Sequence, residues 1–303
     1  MTSGGHEPGD APFPSGWLAE AQRSQRARLG RHDRFGTANY IDAAARRRAA
    51  ASVTSGEVVS LARPVVNTGS VRRDGRPTAH VKVFVADLGG TQVATDHVEL
   101  DIHGVDNTHL DALNHIRLGN EYYGGWAADD PACPSAADLG GAGLFTRAVL
   151  VDVPTVRGRQ WVPEDEPVTG DDLDRGLGLA GTALLPGDAL LLYMGRDRYE
   201  RAGHVYRFSS PSAGLGEDGA RWITRHQISL LCWDFLDALV PGPPMPNAHS
   251  LIWATGQLLV DNCDFAALKR CVGSSSGVVG ALVVAPMALP GATGCGVNPL
   301  VLR

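Results

Sequence analysis

Short apolar runs recur through the second half of this 303-residue chain, and they limit what it can fold into. Ala148–Val153 and Ala189–Met194 are almost free of polar residues. Apolar runs this short suit strands covered on both faces better than amphipathic helices. Val278–Pro286 reads as a last core strand, and Ile228–Trp233 and Leu251–Val260 as further apolar core stretches. Helical signals alternate with them. Thr169–Leu177 has Thr169 or Gly170 near its cap and acids in its first turn, and Gly216–His226 is a second helix. Strands covered on both faces need helices to cover them, so an α/β domain follows.

The first half carries mixed signals. Trp17 to about Arg31 and Ile41–Ser55 read as helices, the second capped by Asp42 and closed by Gly56. Val58–Leu61 reads as a strand. Between Thr78 and Gly104, His80, Lys82 and Phe84 alternate with Val81, Val83 and Val85. A second alternating run, Thr95–Ile102, follows a turn at Gly89-Gly90. Residues 1–16 are rich in Gly, Pro and Ser and are expected to form a disordered arm. Residues 17–303 show no repeat or clean linker and are expected to form one domain.

A net charge of −6 and a pI near 5.9 argue against a nucleic-acid partner. The one basic run, Arg46-Arg47-Arg48, is read as the solvated face of a helix. Five cysteines, an odd number without a C-x-x-C pair, suit a reducing compartment rather than a disulfide framework. No signal peptide and no bilayer-length apolar run are visible. The expectation is a cytoplasmic protein without a membrane partner.

Chemistry concentrates in His103-Gly-Val-Asp-Asn-Thr-His109-Leu-Asp111-Ala-Leu-Asn-His115. On a strand, His109 and Asp111 leave the same face, the first half of a divalent-metal site. Asp111 can equally open a helix as its N-cap, which places His115 one turn on, facing the same cavity. His115 then suits a general base that activates water, or it is a buried histidine bonded to a carbonyl. His249 and Asp261 bracket a strongly apolar stretch, read as one core element. A carboxylate directly after a buried strand, as in Leu258-Leu-Val-Asp261, often sits at a site at the strand's end. Tyr122, Tyr123 and Trp126 line a substrate pocket or a packed loop. Gly140-Gly-Ala-Gly143 reads as a flexible link, and Cys232 and Cys271 as core packing. Ser212 lies outside a Gly-x-Ser-x-Gly elbow, so a serine-hydrolase triad is not expected.

The chain resembles the longer branch of the cyclase family that includes bacterial kynurenine formamidase and isatin hydrolase. The hallmark of that family is His-x-Gly-Thr-His-x-Asp-Ala-Pro-x-His. Here Thr108-His109-Leu-Asp111-Ala112 and His115 match it, while Val105 stands at the first histidine, Asn107 at the glycine and Leu113 at the proline. Phe35-Gly-Thr-Ala-Asn39, Gly187-Asp188 with Leu190–Gly195, Pro211–Leu215 and Gly291–Pro299 resemble further family elements, so the similarity spans roughly 30–303. The resemblance implies an α/β fold of the swivelling β/β/α type, with a central barrel-like mixed sheet and flanking helices. It implies a divalent metal, Zn or Mn, held by His109, Asp111, His249 and Asp261, with His115 as the catalytic base. Asp261 replaces the family glutamate. His103, two positions before Val105, is a possible extra ligand. The implied function is hydrolysis of a cyclic amide, lactone or N-acyl amide in a small organic molecule by a homo-oligomeric enzyme. Rival readings are a polyketide-type cyclase or dehydratase using the same residues, and a metal-free binding protein on the same fold.

Overall fold

Nine strands form one strongly curled, half-barrel sheet in the computed structural model, which describes residues 16–66, 79–207, 214–237 and 247–303. The expected N-terminal arm (all but residue 16), Ser212 and the Pro211–Ala213 part of the matched loop lie outside the described residues. In chain order the strands are β1 (Val58–Ser60), β2 (Ala79–Asp87), β3 (Gln92–Leu100), β4 (His109–Asp111), β5 (Leu144–Asp152), β6 (Ala189–Tyr193), β7 (Leu230–Trp233), β8 (Leu258–Asp261), β9 (Gly277–Val284), β10 (Gly294–Gly296) and β11 (Leu300–Leu302). The sheet order is β1-β11-β9-β5-β6-β7-β8-β4-β10, while β2 and β3 pair only with each other.

The centre, β5-β6-β7-β8, is parallel, and the outer pairings are antiparallel. Its strands are the apolar runs of the sequence, and their residues divide by the strand period of two. Val149, Val151, Leu190, Leu192, Leu231, Trp233 and Leu259 enter one core. Ala148, Leu150, Leu191, Tyr193, Cys232 and Val260 enter the other. Each such leucine or valine contributes about 1.5–3 kcal/mol by leaving water.

Helices cover both faces: α1 (Gly16–Leu29), α2 (Ala43–Ala51), α3 (Ala136–Ala142), α4 (Val153–Arg157), α5 (Gly170–Leu179), α6 (Arg196–Arg201), α7 (Glu217–His226), α8 (Asn247–Thr255) and α9 (Ala266–Val272). Asp42 caps α2 through Ala45 N, and Thr169 with Asp172 forms a capping box at α5, as the sequence indicates.

Four expectations are corrected. The Gly140–Gly143 stretch is not a link, because Gly140 lies in α3, where a Cβ would come within 2.9 Å of Ala288 N. Leu251–Val260 is not one element. It splits at Gly256, whose positive φ of 66° ends α8 and lets the chain turn into β8 against Gly36. β9 is not the last strand, since β10 and β11 follow it. No helix opens at Asp111. The chain leaves β4 in a turn closed by His115 N donating to Ala112 O at 3.0 Å.

Candidate metal centre

The strand geometry brings the two distant halves of the motif together. β4 runs antiparallel to β8 with His109 directly opposite Asp261. His109 and Asp111, two residues apart on β4, share the face that Asp261 occupies. His249 reaches the same point from the first turns of α8. His109 Nε2 lies 3.5 Å from Asp111 Oδ1 and 3.7 Å from Asp261 Oδ2. His249 Nε2 lies 3.2 Å from Asp261 Oδ2 and 3.5 Å from Asp111 Oδ2, which closes a ring of four donors.

His103 also enters. Its Nδ1 stands 3.0 Å from Asp111 Oδ1, and its ring stacks on His115 at 3.7 Å with planes 5° apart. Space for it comes from Gly294 on β10, opposite Asp111, where a Cβ would sit 2.8 Å from His103 Cε1. His115 Nε2 is 3.9 Å from Asp111 Oδ2. Val105, at the hallmark histidine position, turns its side chain to the hydrophobic core instead.

Each of the three nearest imidazoles is held from behind. His109 Nδ1 meets Asn107 O at 2.9 Å, His249 Nδ1 meets Asp237 Oδ2 at 2.6 Å, and His103 Nε2 meets Thr293 Oγ1 at 2.9 Å. Such back-side bonds fix a ring's tautomer and aim its other nitrogen. Trp233 Nε1 donates to Asp261 Oδ1 at 2.5 Å, leaving Oδ2 to face the histidines. No local motif points to Asp237, Trp233 or Thr293, which come from a loop after β7, from β7 itself and from the loop between β9 and β10. Asp237 also accepts the main-chain N–H groups of Ala248 and His249, capping the start of α8.

The donor set fits a divalent cation. Asp111 is fully buried, yet neither of its oxygens accepts a hydrogen bond among the described residues, and His103 Nδ1 has no partner either. A carboxylate oxygen and an imidazole nitrogen 3.0 Å apart without a well-aligned proton between them repel, unless a positive charge lies between them. Ligand atoms each ~2.1 Å from one cation at 90–110° stand ~3.0–3.5 Å apart, the spacing of His103 Nδ1 and of His109 Nε2 from Asp111 Oδ1. Imidazole with carboxylate suits zinc or manganese.

The electrostatics divide the histidines. Burial disfavours charge on His249, but Asp237 and Asp261 outweigh it and raise its pKa well above the usual value. Burial lowers His115 to about 4, with the attraction of Asp111 only partly offsetting it. Burial raises the Asp111 carboxyl, and the surrounding imidazoles, His115 first, reverse that and leave it lowered.

A cavity of about 500 Å³ opens beside His103, lined by Asp101, Ile102, His103 and Gly291–Gly294. The aromatic residues named from sequence are not part of that lining. Tyr123 is buried with its hydroxyl donating to Asp33 Oδ2 at 2.9 Å, and Trp126 Nε1 donates to Asp33 O at 3.3 Å. They pack the N-terminal segment, and Tyr122 joins the same loop through its N–H to Trp126 O.

The family model described as "Putative cyclase" matches residues 59–238, and the chain belongs to that family. A solved structure of a novel cyclase superposes with a TM-score of 0.77 at 23% identity, covering 91% of this chain and 96% of that one. Isatin hydrolase A from Labrenzia aggregata, bound to benzyl benzoate, gives 0.60 at 14% identity over 84% and 96%. Isatin hydrolase A from Ralstonia solanacearum gives 0.58 at 15% over 80% and 90%. These likenesses establish the shared fold. No curated protein matches the chain. Among the described residues no helix is long and apolar enough to cross a membrane.

Proposed function

We propose that the protein is a metal-dependent hydrolase of a cyclic amide, lactone or N-acyl amide bond in a small organic molecule. The observation that carries this reading is the buried Asp111 carboxylate, without a hydrogen-bond donor among the described residues and ringed by His103, His109 and His249. Fold neighbours that are hydrolases of isatin support the reaction class. A zinc or manganese ion held there supplies water activation and carbonyl polarisation when bound. We assign His109, Asp111, His249 and Asp261 to hold it, with His103 as a further donor in the place Val105 vacates.

His115 is the proton carrier in this reading. Burial keeps its imidazole neutral at pH 7, and its Nε2 faces the same carboxylate as the other donors. It accepts the proton of the attacking water and returns it to the leaving nitrogen or oxygen, so that one water is added across the acyl bond. The cavity beside His103 falls within the ~300–1,000 Å³ typical of small-molecule pockets. We assign substrate contact to its lining, with Tyr122, Tyr123 and Trp126 supporting the scaffold. Residues 17–303 act as one catalytic domain.

The test is a panel of lactones, cyclic amides and N-formyl aromatics followed by product mass, with wild type and His115→Ala. The expected result is a gain of one water in the product. His115→Ala is expected to lower turnover about 10²–10⁴-fold while retaining its metal. Products of unchanged or reduced mass would favour the cyclase or dehydratase chemistry, and full activity in His115→Ala would remove the assigned base.

A further inference from the structure

We infer that Asn262 and Arg196 are positioning residues that hold the loop between His103 and His109, and so set both imidazoles at the cation site. The inference rests on the metal reading and deepens it.

The loop 104–108 lies outside the strands and needs side chains to fix it. Asn262 follows Asp261 directly and is fully buried, with a left-handed backbone at φ 56°. Asparagine tolerates that conformation better than most residues. Its Nδ2 donates to Gly104 O at 2.7 Å, next to His103, and to Asn107 O at 3.0 Å, two residues before His109. Asn107 O is also the acceptor of His109 Nδ1. One amide therefore acts on the carbonyl that sets the His109 tautomer. Asn262 O in turn accepts from Thr108 Oγ1 at 2.7 Å.

Arg196 completes the clamp. It is 2% exposed and opens α6. Its Nη2 donates to Val105 O at 2.5 Å, and its Nη1 to Asn262 Oδ1 at 2.8 Å and Asp234 O at 3.2 Å. The bond to Oδ1 fixes which way the Asn262 amide points. A flipped amide would set its NH₂ against the guanidinium. Glu200, bonded to Arg196 Nε at 2.8 Å, supplies the opposing negative charge and shares its carboxylate with Arg63. The carbonyls of Gly104, Val105 and Asn107 are thus held by two side chains. This accounts for a histidine two positions from the hallmark entering the site. Arg196 draws the Val105 carbonyl toward itself, the valine side chain turns to the core, and His103 swings onto Asp111.

The test compares full-length wild type with Asn262→Gly, which keeps the left-handed backbone and removes the amide. Arg196→Lys, which keeps a cation without the fork, gives a second route should the first variant fold poorly. Cobalt(II) is titrated into chelator-stripped protein, and affinity and visible absorption are read. Both variants are expected to bind about 10–100-fold more weakly and to show the spectrum of His103→Ala. Combining Asn262→Gly with His103→Ala is expected to add little further loss, because the two changes act on one contact. Wild-type affinity and spectrum in both variants, or fully additive losses, would overturn the assignment. Nitrogen NMR of the histidine rings in stripped protein reads the positioning without metal. Wild type is expected to show His109 protonated at Nδ1, and Asn262→Gly a tautomer mixture. Unchanged ring signals there would overturn it too. A wild type that takes up no cobalt would sink the metal reading alone, and the ring signals would still decide the positioning.

Discussion

Replacing Asp111 by asparagine keeps the side chain's volume and removes its charge at the centre of the donor ring. Asp111 is 1% exposed, and its oxygens accept no hydrogen bond among the described residues. Asp237 and Asp261 already flank His249, so Asp111 is a third carboxylate around one imidazolium. Burying such a group costs several kcal/mol, but the surrounding imidazoles outweigh that without metal and hold its pKa below the usual carboxylate value. An asparagine there is neutral and loses that attraction. In chelator, Asp111→Asn is therefore expected to be less stable than wild type by about 1–3 kcal/mol. An unfolding entropy of about 0.6 kcal/mol/K for this length makes that a fall of ~2–5 °C. Zinc at about 100 times its Kd adds ~2.7 kcal/mol to a protein that binds it, or about 4 °C here. Scanning calorimetry with chelator and then with zinc reads both effects. Wild type should gain on zinc addition and the variant should not. A variant that melts with or above wild type in chelator, or that gains with zinc as wild type does, refutes the reasoning.

Restoring the family residue by Val105→His should add no metal, because that side chain faces the core, and should cost about 1–3 kcal/mol for a polar ring placed there. Elemental analysis and a melting curve check both halves. Asp172 is raised by burial, but Arg157, in a two-point ion pair, and Thr169 outweigh it and lower its pKa. Its contribution to stability is thus present above about pH 5 and lost as pH falls below about 4. Asp172→Asn should flatten that acid loss in a pH series of denaturant midpoints, and an unaltered pH profile would contradict the assignment. The β2–β3 ribbon exposes Val83, Val85, Leu88 and Val98, and an isolated two-stranded ribbon is marginal in water. If it supports the expected homo-oligomer, Val83→Asp with Val85→Asp should lower the mass seen by light scattering, and an unchanged mass would exclude the ribbon as the contact.

The parts of the fold that were legible in the sequence are those where local pattern and burial agree. Ala148–Val153 and Ala189–Met194 announce β5 and β6 because parallel strands covered on both faces admit few polar residues. The Thr169 and Asp42 caps mark helix starts through bonds made within three residues. Leu251–Val260 misled because a buried helix and a buried strand are both apolar, and only Gly256 separates them. At the site, His109 and Asp111 follow from a spacing of two. Pairing them with His249 and Asp261 needed the family resemblance, since the β4–β8 register is not written in either segment. His103 was legible only as a nearby histidine. What carries it to Asp111 is a tertiary clamp from Asn262 and Arg196 and the room left by Gly294. Asp237 and Trp233 left no local trace for the same reason.

Metal content measured by mass spectrometry on the purified full chain, after growth with zinc and manganese supplied, decides whether the four donors hold a cation. Wild type is expected to carry on the order of one divalent ion per chain, with a near-complete loss in His109→Ala and Asp111→Ala. A metal-free wild type, or the same metal content in all three proteins, contradicts that assignment.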